Sequence, residues 1–97
     1  MNHVYLVCLH LRSPRENYWE IQNELTRSPE WWHYLEWTWM VATEESLSEL
    51  ADRLKPHMTE QDSYLITELH GPCEGWLPDA AWSWIDQNVP SLAKTSS

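Results

Sequence analysis

Hydrophobic positions change period along the chain, and the changes mark seven elements. Residues 4–11, Val-Tyr-Leu-Val-Cys-Leu-His-Leu, form a short apolar and β-branched run with the character of a buried central strand. The period lengthens after Ser13-Pro14-Arg15-Glu16. Tyr18, Ile21, Gln22 and Leu25 then share one face of a helix, with Trp19 to its side, until Ser28-Pro29 ends it. Ser13 and Glu16 have capping-box spacing, and Pro14 suits the first helical position. Residues 31–43, WWHYLEWTWMVAT, are too aromatic and β-branched for a helix and too long for one strand. They predict two strands meeting near Glu36-Trp37, by a tight turn or a bulge. Ser46-Leu47-Ser48-Glu49 is a second capping box, opening a helix with Leu47, Leu50, Ala51, Leu54 and Met58 at helical spacing. Lys55 and His57 suit its negative end, and Pro56 stops it. Tyr64 to Leu69 reads as a strand after the turn at Asp62-Ser63, broken by Gly71-Pro72. Pro78 opens a short helix with an apolar stripe of Ala81, Trp82, Ile85 and Val89. Trp84 lies off that stripe, and Pro90 closes it.

The order β-α-β-β-α-β-α predicts one α+β domain over residues 1–90, with a flexible tail at 91–97. Its first six elements match the ferredoxin-like split motif, a four-stranded antiparallel sheet with two helices on one face. Side chains alternate across a strand, which sorts residues 31–43 into two apolar faces. One carries Trp31, His33, Leu35, Trp37, Trp39 and Val41; the other carries Trp32, Tyr34, Thr38, Met40 and Ala42. Two helices shelter one face, and a monomer rarely leaves a second one in water. The cover is the C-terminal Trp-rich helix, a second subunit, or both, and a two-fold homodimer satisfies this pattern.

Composition narrows the partners. Six Lys plus Arg against fifteen Asp plus Glu give a net charge of −9, which argues against non-specific nucleic-acid binding, since that affinity comes from cations displacing counterions. No apolar run is long enough for a membrane span, and the N-terminus lacks a basic n-region and cleavage site, so the expected location is cytoplasmic. Cys8, inside an apolar run, reads as a buried small hydrophobe, and with Cys73 it makes no metal-ligand spacing. Eight Trp and four Tyr with no Phe imply either an unusually aromatic core or an aromatic recognition surface. With only two glycines there is no phosphate-binding loop.

Several residues in this pattern resemble the SinR-like family of small proteins, which is similar to the CRISPR-associated Cas-two nucleases. They are Tyr18 with Ile21, Trp31-Trp32-His33-Tyr34-Leu35-Glu36, Thr38-Trp39, Val41, Leu54-Lys55-Pro56-His57, Asp62, and Gly75-Trp76-Leu77-Pro78 with Trp82 and Trp84. The resemblance spans residues 4–88 and implies a ferredoxin-like fold and a dimer. The Cas-two comparison implies metal-dependent phosphodiester cleavage by an aspartate just after the first strand. Leu9-His10-Leu11 stands there instead, without the carboxylate that would hold Mg²⁺ or Mn²⁺.

Candidate chemistry then falls in three places. In the ferredoxin-like topology His10, Glu36 and Asp62 gather at one end of the sheet, as an acid/base or metal cluster or as a hydrogen-bonded edge with Asp62 in a turn. His3 and His70 fall side by side at the opposite end, short of a third zinc ligand. Trp31, Trp32, His33, Tyr34, Trp39, Trp76 and Trp82 are the binding candidates, as a platform for a protein or a nucleotide-like ligand. Packing of core and dimer interface accounts for most of these tryptophans. The expectation is a non-catalytic, cofactor-free homodimer that binds a partner or small ligand. The alternative is a divalent-metal nuclease of the Cas-two kind or a nucleotide-binding module.

Overall fold

The computed structural model describes residues 3–33, 35, 37–70 and 74–88. Within them the chain is α+β: strands β1 (His3–His10), β2 (Glu30–His33), β3 (Thr38–Thr43) and β4 (Ser63–Glu68), and helices α1 (Pro14–Thr26), α2 (Leu47–Leu54) and α3 (Asp79–Asn88). A 3₁₀ turn, Lys55–His57, follows α2. The strands form one antiparallel sheet in the order β2-β3-β1-β4. The expectations for Tyr34, Glu36, Gly71-Pro72, Cys73, Val89, Pro90 and the tail 91–97 fall outside the described residues.

Alternation in β1 and β3 builds two cores, one on each side of the sheet. Tyr5, Val7, Leu9, Trp39 and Val41 face α1 and α2, which contribute Ile21, Leu25, Leu50 and Leu54. All nine are buried, and each Leu or Ile removed from water there contributes roughly 1.5–3 kcal/mol. Val4, Met40 and Ala42 face the other way, where α3 lays Ile85 on them and Trp82 and Trp84 pack at the margin. The C-terminal helix therefore covers its own sheet. It covers only part of it.

Local signals did not all act as their spacing suggested. Ser46 and Glu49 form the reciprocal capping box that starts α2. Ser13 and Glu16 do not: Ser13 has φ −131° and ψ 77°, its side chain caps nothing, and its carbonyl accepts the Glu16 N–H at 2.9 Å. A tight turn takes the place of the box. Trp84 is half-buried against the α3-side core rather than off the stripe, and Leu47 is exposed. Leu35 also changes sides. It sits between β2 and β3, where strand alternation no longer holds, and lines the α3 side of the sheet. Cys8 is half-buried, not fully so: it lies outside the α3-side cluster, and its cross-strand partner Leu65 is exposed.

Candidate functional site

Cross-strand pairing divides the α3 side of the sheet into rows. One row runs Val4–Ala42, with Glu30 beyond. The next runs Thr67–Leu6–Met40–Trp32, and the last runs Leu65–Cys8–Thr38. Protection falls along the two central strands, from buried Val4 to half-buried Leu6 and Cys8 in β1 and from buried Ala42 and Met40 to half-buried Thr38 in β3. Edge strand β4 leaves Thr67 and Leu65 exposed, Leu65 by 63%. Apolar residues continue into the last row, as Leu65 and Cys8, while their cover thins.

Between the middle row and α3 lies a cavity of about 200 Å³. Leu6, Trp32 and Met40 of the sheet meet Leu77, Trp82 and Ile85 across it, and Leu35 stands at its rim. Glu74 is the only charged side chain among its described lining. The Trp32 indole N–H is buried and meets no acceptor among the described residues, and the same holds for Trp84. A buried donor without a partner costs roughly 1–3 kcal/mol, so each is an expensive feature of this core.

The aromatic candidates thus divide. Trp39 is 2% exposed and belongs to the α1/α2 core, where its Nε1–H donates to the Tyr18 hydroxyl at 3.3 Å. Burial raises the Tyr18 pKa, and the bond from Trp39 offsets only part of that rise. His33 stacks on Trp39 with ring centres 4.0 Å apart and planes 6° from parallel, and Trp31 leans on it at 5.5 Å. Trp32 and Trp82 line the cavity on the opposite side, while Trp76 is 96% exposed. No single platform joins these residues. The sheet stands between the two groups.

The end of β1 and the start of β4 do meet, as His10 pairs with Ser63. His10 is exposed. Asp62 is committed elsewhere: its Oδ1 accepts the Arg12 N–H at 2.9 Å, and its Oδ2 accepts Asn17 Nδ2 and the Thr59 N–H, both at 2.8 Å. Burial raises its pKa, but the donors from Arg12, Thr59 and Asn17 outweigh it and hold the carboxyl below the usual value. Such a group staples two loops to the start of α1. At the opposite end Glu68 lies between the histidines, 2.6 Å from His3 and 3.6 Å from His70. Among the described residues no group of three His, Cys, Asp or Glu is arranged to hold a metal ion.

Two hubs were not legible as such. Asn17 is buried in α1 and donates to both the His57 carbonyl and Asp62. Arg53 ties α2 to the end of α1 and the β3–α2 loop through the Glu24 carbonyl, Ser28 Oγ and the Glu45 carboxylate. Their one sequence signal is a polar residue on an otherwise core-facing helical position. Among the described residues no helix is long and apolar enough to cross a membrane. Comparison of the chain with protein-family models, curated proteins and solved structures returns no match.

Proposed function

We propose that this chain is a ferredoxin-like homodimer that binds rather than catalyses, using the α3 side of its sheet. The ferredoxin-like reading is supported by the βαββαβ order and by β1 and β3 lying at the centre of the β2-β3-β1-β4 sheet. The SinR-like resemblance of residues 4–88 points the same way.

The observation that carries the proposal is the graded burial of an apolar face. Leu65 is exposed beside half-buried Cys8, and Leu35 is exposed at the rim of the same side. Water contact over such a patch is costly, and a two-fold axis through the Leu65–Cys8 row would place like surfaces together. Catalysis is the weaker reading because both Asp62 oxygens already accept hydrogen bonds and His10 has no other carboxylate shown beside it among the described residues.

Sedimentation equilibrium over a dilution series tests the dimer. The wild type is expected to sediment as two subunits and Leu65→Glu as one, with unchanged far-UV circular dichroism. A folded wild-type monomer at every concentration overturns the proposal. Incubation with Mn²⁺ and labelled RNA tests the other half: cleavage that disappears in Asp62→Asn would make the protein a nuclease.

A further inference from the structure

We propose that β4 is an open pairing edge, where a second copy of this chain adds its own β4 antiparallel to make one sheet across both subunits. This rests on the homodimer reading above and fixes where its two-fold axis stands, at the outer end of the Leu65–Cys8 row.

Topology leaves β4 with one neighbour, β1, so half of its backbone groups face outward. The Leu69 N–H shows which half, since it donates to the Val4 carbonyl at 2.8 Å. Hydrogen-bonded and non-bonded pairs alternate along an antiparallel ladder. Thr67, Leu65 and Ser63 therefore turn their N–H and C=O groups toward β1, and Tyr64, Ile66 and Glu68 turn theirs away. Among the described residues no strand lies on that outer side.

The two edges of the sheet are guarded differently. β2 has four residues, follows Pro29 and opens on exposed Glu30. β4 has six, pairs with β1 without a bulge, and carries no Pro, Lys or Arg. Charges, prolines and bulges blunt the edges of natural sheets, and an unguarded apolar edge is a template for another strand. Tyr64 and Leu65 are exposed on opposite faces of β4, by 37% and 63%, where an added strand would flank them.

Charge selects the register. Glu68 is the only charged residue of β4, and its carboxylate lies 2.6 Å from His3. With Ile66 opposite the partner's Ile66, Tyr64 meets the partner's Glu68, and every outward backbone group of both strands finds a mate. Leu65 then faces the partner's Thr67 and lies diagonal to the partner's Leu65, within side-chain reach. The two Glu68 residues stand four positions apart, about 13 Å along the strand and beyond the ~8 Å screening length. Centring the pair on Glu68 would oppose the carboxylates directly. Centring it on Tyr64 would run Glu68 past the end of the partner strand. The strand is complementary to itself in one register.

Amide hydrogen exchange on the wild-type protein tests the contact. Well above the dimer dissociation constant, the Tyr64, Ile66 and Glu68 amides are expected to exchange about tenfold or more slowly than after dilution. Leu65 and Thr67, bonded within the subunit, should be slow at both concentrations. Sedimentation equilibrium supplies the second test. Tyr64→Pro removes an outward donor and spares the ladder to β1, whereas Tyr64→Ala removes the ring and keeps the donor. The Pro variant should dimerise about ten- to hundredfold more weakly than the Ala variant, through one hydrogen bond lost on each side of the axis.

A dimer whose outer amides stay fast at every concentration, or equal dimerisation of the Pro and Ala variants, would overturn the edge contact and leave a dimer of faces. A wild type that stays monomeric would overturn both readings. The exchange comparison needs no variant, so it decides the matter even if Tyr64→Pro misfolds.

Discussion

The two sides of the sheet have nearly the same raw materials and different outcomes. On the α1/α2 side Trp39 is enclosed by Tyr18, His33 and Trp31, and its one polar atom has a partner. On the α3 side Trp32 and Trp82 border a void, and the Trp32 donor has none among the described residues. Two helices close the first side with Ile21, Leu25, Leu50 and Leu54. One helix, with Ala81 and Ile85 buried, covers Val4, Ala42 and Met40 on the second and leaves Leu65 exposed. Aromatic content therefore says little by itself about recognition. Completeness of packing separates a core tryptophan from one left at a site.

Truncation should break this comparison most sharply. Trp39→Ala removes a ring enclosed on all sides and should cost about 3–5 kcal/mol, whereas Trp82→Ala enlarges an existing void and should cost well under half of that. Urea denaturation of the two variants measures the difference. Equal costs would mean that the second side is as tightly packed as the first.

Arg53→Ala is expected to cost about 2–3 kcal/mol, because a half-buried guanidinium bridging α1, α2 and the β3–α2 loop leaves Glu45 and the Glu24 carbonyl short of a partner. Thermal denaturation would register it as a lower midpoint. This loss falls wholly on the α1/α2 side, in the contacts that join α1, α2 and the β3–α2 loop.

Acid should act through Asp62. Its folded pKa is depressed, so its contribution is full above the unfolded value of about 3.9 and is lost as pH falls through the lower folded value. Asp62→Asn should be about 1–3 kcal/mol less stable than wild type at neutral pH, and the gap should close below about pH 4. Denaturation curves across pH check the sign; a gap that widens on acidification would reverse the assignment.

Leu65→Glu should have the smallest effect on the fold, within about 0.5 kcal/mol, since the side chain is already in water within one subunit. Its effect on sedimentation should be complete. That pairing of a neutral fold and a lost dimer sharpens the contrast between the closed side and the open one.

Much of the architecture was written in local pattern. The apolar run at residues 4–11, the Ser46–Glu49 box and the helical spacing of Ile21, Leu25, Leu50 and Leu54 required only nearest-neighbour physics, and each lies where that physics puts it. The Ser13–Glu16 box failed because a tighter backbone turn satisfied the same N–H. Leu35 was assigned to the wrong side because alternation holds only while the strand lasts. The division of the tryptophans was out of reach, since spacing gives a side chain's face and not how completely that face is covered.

The sequence determined the order of elements and which side of each strand a residue faces, because dihedral preference and the two periodicities operate over a few residues. Tertiary structure decided how far α3 reaches across the sheet, which donors found acceptors, and where a void remained. Those outcomes depend on contacts between residues distant in the chain, such as Met40 with Ile85 or Asn17 with Asp62, where shape and distance are fixed only after the elements have met.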